Sequence, residues 1–489
     1  LQASIFAAGL LAIVTLAMYF VFFAEGGRGQ IDSVAVLPFE NSTGDPDLAY
    51  VSDGLSESLI DRLSQLPQLK VISRNSSFKF RGANLDPRDI ASTLGVRAIV
   101  TGTVARNGDD LTVRLDIVDA VEDRQLGGGQ YRRKVGDILS IQNDIARTVT
   151  APLQLGLTGT QSKRITENGT DNPDAYRYYL SGLVEYYRSR DVHSRALEYF
   201  EQAVKLDPDF APAHAEIAWI YWSRANETDD PNELMPKAKA AMERALAIDP
   251  DHPKARVIKA MMNEFEFDWP GAENEYRRAI ELSPNLDFAR NNYSFFLSVM
   301  GRPTEALAQL EELRVRDPIN SRLALLHKGF ILTQARKFDE ALQAYSEAQA
   351  VEPTRDIPSF TLGYAYAGKG SYQEAAGYYK KSVDLFGGEE KYSQPLVYLA
   401  ATYAKMPDKQ NEARDILARI ERMHQYVSPA LLAAVYSALE DNDKAIELLE
   451  RAYVKRDLLL RFIGTGYEYD GLRDDPRFVD LTKRIGFSQ

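Results

Sequence analysis

The residues best suited to chemistry lie early in the chain, where an apolar stretch passes into a helix. Asp45, Asp53 and Ser56 occupy this turn, and many α/β enzymes place a catalytic serine at such a strand-to-helix turn. The pentapeptide GLSES is one residue short of the G-x-S-x-G pattern, because Ser58 stands where the tight turn needs a second glycine. We therefore interpret the turn as structural and expect no catalytic residue in it.

Helix capping explains the same acidic residues. Asp45 precedes Pro46, which is the arrangement of an N-cap followed by proline at the first helical position. Asp53 is a second candidate, because it could start the main helix or cap it again at Gly54. An enzyme built on Asp45, Asp53 and Ser56 remains the alternative hypothesis for this domain.

Other motifs for metals or phosphates are weak. The five histidines stand far apart in sequence, without a His-x-x-x-His or Glu-x-x-His pair: His193, His214, His252, His327 and His424. The segment LGGGQ at Leu126 has the glycines of a phosphate loop but lacks the following lysine and helix, so we expect a bulge or turn between strands. We predict neither a metal nor a cofactor.

Composition narrows the class of protein. The 489 residues carry a net charge of −12, which disfavours a nucleic-acid surface, and contain no cysteine. Disulfides, zinc-thiolate sites and thiol catalysis are therefore excluded. The chain is long enough for several domains.

The N-terminus predicts a membrane anchor. Residues 3–24 are uncharged and apolar, and 22 helical residues are long enough to span roughly 30 Å of hydrocarbon. We expect one transmembrane helix within 1–25, in preference to a cleaved signal peptide, and a linker at 26–32. Because the first residue is Leu1, we expect the chain to be a piece of a longer polypeptide.

Residues 33–157 predict an α+β domain with a mixed sheet. Leu55, Leu59, Leu63 and Leu66 recur at helical spacing. Asp86-Pro87 and Gly95 mark the start and end of a second helix. Two alternating segments flank Asn107-Gly108, a strong hairpin signal, and an amphipathic helix from Ile138 to Leu153 closes the domain.

After a linker predicted at 158–171, residues 172–455 contain a sequence pattern that recurs. Alanine, a large residue, alanine and proline recur at offsets of 0, 4, 7 and 12, for instance at Ala341, Tyr345, Ala348 and Pro353. A period near 34 residues with this pattern is that of the tetratricopeptide helix-turn-helix, and about eight copies are present. Such arrays need a terminal cap, which we assign to residues 456–489. The predicted fold is therefore an α+β domain followed by an all-α superhelix.

The first helix of each repeat predicts a binding groove. In such arrays these helices form the concave face, and large apolar residues recur at one position of it. We predict an aromatic stripe suited to an extended peptide or a partner helix, made of Trp219, Trp222, Met261, Phe295, Phe330, Phe360 and Tyr364. The alternative is that these residues pack between repeats.

The two regions together resemble a known bacterial arrangement. VAVLPFENSTGDPD, YVSDGLSESLIDRLSQLPQLKVISRNSSFKFRG and LGVRAIVTGTVARNGDDLTVRLDIVDA are similar to the TolB-like amino-terminal domain. That resemblance implies a position between a membrane helix and tetratricopeptide repeats. It also implies an output module before the helix: a serine/threonine kinase, a winged-helix domain or a nucleotide cyclase.

These observations predict a non-catalytic, membrane-anchored sensory and protein-interaction region of a bacterial signalling protein. By resemblance, residues 26–489 lie in the periplasm and the helix crosses the inner membrane. The partner is a protein or peptide, no nucleic acid is expected, and a homodimer is plausible because one helix transmits signals poorly alone. The alternative is a cell-envelope scaffold that uses the helix only as an anchor.

Overall fold

A six-stranded mixed sheet begins the described part of the chain. The computed structural model describes residues 31–487 except 45–47, 84, 154, 189–193, 228–230, 386–387, 389–392 and 424–425. The predicted transmembrane segment 3–24 lies outside these residues, and no described helix is long and apolar enough to cross a membrane. The strands are β1 (Ser33–Val36), β2 (Glu40–Asn41), β3 (Lys70–Val71), β4 (Ala98–Asn107), β5 (Asp110–Asp119) and β6 (Arg124–Lys134).

The sheet has the order β3-β1-β4-β5-β6, with β2 paired to β4. The pairs of β1 with β3 and β4 are parallel, whereas β4, β5 and β6 form an antiparallel meander. The predicted hairpin is confirmed, since Asn107 pairs with Asp110. The predicted bulge at Leu126 is also present, but no turn is: the glycines belong to β6, whose register with β5 shifts there.

The helices of this domain cover the sheet. The predicted helix after Asp86 is confirmed: the Asp86 carboxylate accepts from the Arg88 amide, and Gly95 ends the helix with a φ of 61°. A short fifth helix, α5, follows the domain and lies within residues 158–171, which were predicted to be a linker. The five helices are α1 (Ala49–Ser64), α2 (Arg74–Ser77), α3 (Pro87–Leu94), α4 (Ile138–Leu153) and α5 (Gly159–Thr166).

Within the described residues, sixteen further helices form eight antiparallel pairs, the helix-turn-helix units that the repeat pattern predicts. They are α6 (Pro173–Arg188), α7 (Ser194–Leu206), α8 (Ala211–Glu227), α9 (Pro231–Ile248), α10 (Pro253–Phe265), α11 (Trp269–Leu282), α12 (Asp287–Val299), α13 (Pro303–Arg316), α14 (Ser321–Gln334), α15 (Phe338–Val351), α16 (Ser359–Lys369), α17 (Tyr372–Leu385), α18 (Ser393–Ala404), α19 (Gln410–Ile420), α20 (Pro429–Ala438) and α21 (Asn442–Val454). We call the even-numbered members α6 to α20, the first helix of each pair, the inner helices; the C-terminal segment lies against several of them, such as α12, α14 and α16.

The small and large residues of the repeat pattern meet between paired helices. A Cβ added to Gly182 would lie 2.5 Å from the Phe200 ring, and one added to Gly363 would lie 2.9 Å from Tyr379. Phe200 and Tyr379 are fully buried. The glycine therefore lets the helices approach, and the aromatic ring fills the space between them.

The α+β domain packs on the N-terminal edge of the repeats through α1. Gly54 contacts Leu180 of α6, and the Ser58 hydroxyl lies 2.9 Å from the Tyr176 hydroxyl. At the other end of α1, the Asn285 amide donates to the carbonyls of Ser64, Leu66 and Leu69 at 2.8–3.3 Å. Ser64 ends α1, where helix carbonyls lack an intrahelical donor, and the Ser283 hydroxyl also donates to its carbonyl at 3.1 Å.

The C-terminal segment is more than the terminal cap predicted for it. Residues 456–487 contain two 3₁₀ helices (Leu458–Phe462 and Tyr467–Leu472) and α22 (Pro476–Ile485). The segment crosses the inner helices of earlier repeats, and the Trp269 indole of α11 donates to the Ile485 carbonyl at 2.7 Å. Its apolar residues need a partner surface, and the concave face supplies one.

Candidate functional site

The strand-to-helix turn carries structural side chains. The Ser56 hydroxyl is fully buried; it accepts from the Phe39 amide at 2.9 Å and donates to the Ser52 carbonyl at 2.9 Å. The prediction that Asp53 starts or re-caps the helix is wrong, because α1 begins at Ala49 and Asp53 lies inside it. Asp53 instead pairs with Arg81 at 2.8 Å. Asp45 and Pro46 lie outside the described residues.

All seven predicted groove residues lie on inner helices, but they do not form one open stripe. Trp222, Met261 and Tyr364 are buried, with exposed fractions of 3%, 6% and 8%. The other four are partly buried: Trp219, Phe295, Phe330 and Phe360. Whether this surface binds a peptide stays a prediction. The residues that contact the seven side chains determine how much of the surface a partner could reach.

Phe295 and Phe330 are covered by the chain itself. Their rings stack on each other with centroids 4.8 Å apart. Phe462 of the C-terminal segment meets both rings edge-on, at 5.7 Å and 6.2 Å. The Arg461 guanidinium lies 4.9 Å from the centre of the Phe295 ring, a cation–π contact. This part of the concave face therefore already holds an arginine and an aromatic residue.

Tyr364 is covered in the same way. Its ring lies 4.8 Å from that of Tyr467, and its hydroxyl donates to the Glu468 carboxylate at 3.1 Å. Burial raises the pKa of Glu468 to about 7. Next to it, Arg336 holds Asp470 through two hydrogen bonds, one of them 2.8 Å long.

A buried carboxyl group of α10 lies within electrostatic range of the C-terminal segment. Glu264 is 3% exposed and accepts a short hydrogen bond from the Tyr276 hydroxyl. Burial raises its pKa to about 7, although the positive charge of Arg461 opposes this shift. Burial in turn lowers the pKa of Arg461. Sequence analysis missed the proximity of Glu264 and Arg461, and the concentration of aromatic residues in the predicted terminal cap, at Phe462, Tyr467 and Tyr469, is the signal that could have revealed it.

Trp219 contacts aromatic residues of two other inner helices, α6 and α12. Its indole N–H donates to the Tyr186 hydroxyl at 2.9 Å, and its ring packs edge-on against Phe288 at 4.7 Å. Neither Tyr186 nor Phe288 was predicted, because no repeat landmark marks them. Lys254 of α10 lies 5.5 Å from the centre of the Phe288 ring and pairs with Glu216 of α8 at 2.6 Å, so polar and aromatic groups are mixed here.

Metal-ligating side chains do not converge in the part of the chain that the structure describes, where no group of three or more could hold an ion. His214 bonds the Pro208 carbonyl at 3.0 Å, and His252 caps α10. His327 lies 3.0 Å from the Asn291 amide oxygen, and burial lowers its pKa to about 4. His193 and His424 lie outside the described residues.

Residues 298–350 and 331–390 match the family model of the tetratricopeptide repeat. This segment is a tetratricopeptide repeat region. The match covers helices α13 to α17, and the helix pairs on either side have the same arrangement. The predicted repeat fold is thus confirmed for this segment, and tetratricopeptide repeats are a fold that binds protein or peptide partners.

Three curated proteins are similar to the chain. Putative adenylate cyclase 3 of Rhizobium meliloti is 31% identical over 191 residues, 38% of this chain and 32% of that protein. Human protein O-mannosyl-transferase TMTC3 is 26% identical over 52% of this chain and 29% of its own length. Cellulose synthase operon protein C of Pseudomonas fluorescens is 21% identical over 56% of this chain and 22% of its own length. The chain therefore spans about a third or less of each relative.

Solved structures resemble part of the chain. The type IV pilus biogenesis factor PilW is 22% identical, with 43% of this chain and 92% of that chain covered and a TM-score of 0.34. A tetratricopeptide repeat protein from Parabacteroides merdae is 14% identical, with coverages of 51% and 98% and a TM-score of 0.34. Human IFIT1 is 15% identical, with coverages of 71% and 85% and a TM-score of 0.41.

Proposed function

We propose that this chain is the non-catalytic, membrane-anchored sensory and protein-interaction region of a bacterial signalling protein. Its TolB-like domain and repeats would bind a protein or peptide in the periplasm. The transmembrane helix predicted at residues 3–24 would relay the change to an output module upstream. The homodimer expected from sequence belongs to this proposal, because one helix needs a partner to transmit a change in assembly.

The observation that carries the proposal is the core shared by the two regions. One hydrophobic cluster includes Val34 of the sheet, Leu59 of α1, and Phe200 and Ile217 of the first two repeats. A partner that shifts the repeats would therefore also shift β1, which begins directly after the predicted linker at 26–32. This coupling is what a relay between a binding surface and a membrane helix requires.

Similarity supports a cyclase as the output module. The relative that is 31% identical is named putative adenylate cyclase 3, and this chain spans 32% of it. A cyclase was one of the three modules that the TolB-like resemblance implies. The chain would then be the regulatory part of a longer enzyme, with no catalysis of its own.

The absence of cysteine makes the topology directly testable. Val121→Cys and Val454→Cys place single thiols at side chains that are 72% and 79% exposed. In intact bacteria, a membrane-impermeant maleimide should label both variants as strongly as it does after lysis. A Leu55→Cys variant, whose thiol is buried, serves as the unlabelled control. Labelling of the exposed thiols only after lysis would contradict the proposal.

Signal relay needs a second experiment. In the full-length protein, deletion of residues 31–489 should change cyclic nucleotide production by the upstream module. Equal production with and without the region, or a gene that starts just before Leu1, would favour the alternative of a cell-envelope scaffold. The similarity to cellulose synthase operon protein C is the observation that favours that alternative.

A further inference from the structure

Side chains of the C-terminal segment meet the inner helices in the order in which an extended ligand would. Phe462 lies against α12 and α14. The Thr465 hydroxyl donates to the side-chain oxygen of Gln334, the last residue of α14, at 2.8 Å. Further along, the Tyr467 hydroxyl donates to the Tyr364 carbonyl of α16 at 3.0 Å. The segment therefore contacts successive repeats as it advances.

Each of these contacts uses a side chain of the segment and not its backbone. The backbone is held in part by the segment's own Arg473, which donates to the carbonyls of Gly464 and Gly466 at 3.1 Å and 2.8 Å. A different chain with the same side chains could therefore make the same contacts. We call residues 461–470 the groove-bound segment and the residues that it contacts the aromatic groove: Phe295, Phe330, Gln334, Arg336 and Tyr364.

The groove-bound segment lies between two anchors. Leu460 and Leu472 are fully buried, whereas the side chains of Arg461, Phe462 and Tyr467 are partly exposed. Two glycines lie between the anchors and let the backbone rearrange more easily than other residues would. A partner can thus displace the groove-facing side chains by local opening, which costs less free energy than release of the buried anchors.

The segment does not satisfy every polar group of its site. The Oε2 atom of Glu264 and the Nε atom of Arg461 are both buried, and neither has a hydrogen-bond partner among the described residues. The Arg461 guanidinium instead makes a long hydrogen bond, at 3.4 Å to the Asn226 side chain. Buried polar atoms without partners cost free energy. A ligand whose arginine donates to Glu264 would therefore bind this site more tightly than the segment does.

The aromatic groove selects side chains of defined chemistry. The stacked rings of Phe295 and Phe330 accept an aromatic ring, and Phe295 also accepts a guanidinium over its face. Tyr364 packs against a second aromatic ring. Arg336 forms two hydrogen bonds with the Asp470 carboxylate, which favours an acidic side chain at that end. Arginine, two aromatic rings and a carboxylate, in this order, therefore define the ligand.

We propose that the aromatic groove binds a partner peptide that carries an arginine beside an aromatic residue, then a second aromatic residue and a carboxylate, and that the groove-bound segment fills the site until the partner displaces it. In the segment, this pattern is Arg461-Phe462, Tyr467 and Asp470. This inference rests on the proposed function and deepens it, because it names the chemistry of the partner that the repeats bind.

A fluorescein-labelled peptide of residues 459–472 is the probe for the full chain in detergent micelles, with a scrambled peptide as the control for binding to the micelle. Fluorescence anisotropy would give its Kd for the wild type and for Phe462→Ala, which weakens the segment and leaves the groove intact. We expect Phe462→Ala to lower the Kd about tenfold, because the apparent Kd falls as the open fraction of the groove rises. Adding Phe330→Ala to that variant should remove the gain.

Two further variants separate displacement from loss of stability. Asp470→Asn removes an exposed ion pair with Arg336, so the fold should persist and the Kd should fall about threefold. Ile145→Ala truncates a fully buried side chain of the α+β domain. It destabilises the chain without altering the groove, so its Kd should stay within about twofold of the wild type.

An unchanged Kd in both Phe462→Ala and Asp470→Asn would overturn the inference, as would an equal fall in Ile145→Ala or no measurable binding by any variant. A change of sedimentation mass in Phe462→Ala without tighter peptide binding would also overturn it, because a second copy of the chain would then occupy the groove.

The two proposals fail in different experiments. Labelling of Val121→Cys and Val454→Cys only after lysis would remove the periplasmic assignment and leave the effect of Phe462→Ala on peptide binding untouched. Loss of that effect, with labelling in intact cells, would remove only the inference about the aromatic groove.

Discussion

The ring of Phe462, in the C-terminal segment, packs against two neighbouring repeats. Its contacts with Phe295 and Phe330 replace solvent over both inner-helix aromatics. Phe462→Ala should therefore lower the free energy of unfolding by roughly 2 kcal/mol, less than for a fully buried phenylalanine because this ring is partly exposed. Urea denaturation followed by circular dichroism would measure the loss.

Val454→Ala is the matched control for this variant. Val454 is 79% exposed, so its truncation should change stability by no more than about 0.5 kcal/mol. If Phe462→Ala is as stable as this control while Phe330→Ala weakens partner binding, the groove hypothesis survives and the packing interpretation of these rings is wrong.

Local structure could be predicted from the residue types more accurately than the state of the predicted groove. The Asp86 cap, Gly95 and the Asn107-Gly108 turn were predicted correctly because their partners lie within a few residues. Asp53 was placed wrongly because its partner, Arg81, comes from a later loop. Sequence placed the aromatic stripe on the inner helices, but the residues that cover Phe295, Phe330 and Tyr364 lie over 100 positions away.

At the scale of elements, α1 joins the α+β domain to the repeats. A Cβ on Gly54 would lie 2.9 Å from the Cβ of Leu180, an atom next to the backbone that cannot move aside alone. Gly54→Ala gains helix propensity of about 1 kcal/mol but must separate α1 from α6, which costs about 1–3 kcal/mol. We expect a net loss of stability and faster proteolysis near residues 158–171.

Gly377→Ala is the control for Gly54→Ala, because it gains the same helix propensity without a steric clash. Gly377 lies inside α17, and an added Cβ would meet nothing within 4 Å. This variant should therefore be more stable than the wild type by about 0.5–1 kcal/mol. If both variants gain stability equally in thermal denaturation, α1 and α6 do not pack as closely as described.

The order of elements was largely predictable, and their association was not. A repeated packing rule gives eight helix pairs because each pair uses the same offsets of small and large residues. The path of residues 456–487 depends on long-range contacts, such as the Trp269 bond to Ile485, that no periodicity encodes. Sequence therefore identified this segment as terminal without revealing that it lies on the concave face.

At the scale of the whole molecule, several carboxyl groups have pKa values that burial raises. Burial raises the pKa of Glu57 to about 8, and those of Glu264, Asp287 and Glu468 to about 7. In the unfolded chain these groups titrate near 4, so the folded protein binds more protons between about pH 4 and 8. The free energy of unfolding should therefore fall as pH rises through this range.

Urea denaturation at pH 5.5 and pH 8.5 tests this expectation, with Glu264→Gln as the informative variant. A pKa shift of one unit corresponds to about 1.4 kcal/mol, so removal of the Glu264 carboxyl should reduce the difference in the free energy of unfolding between the two pH values by on the order of 2 kcal/mol.

Glu273→Gln is the control, because hydrogen bonds from Arg302 lower the pKa of Glu273 to about 2. That group is ionised in both states throughout this range, and its stabilising effect is lost only below about pH 4.5. A pH dependence that Glu273→Gln reduces as much as Glu264→Gln would show that the buried carboxyl is not its source.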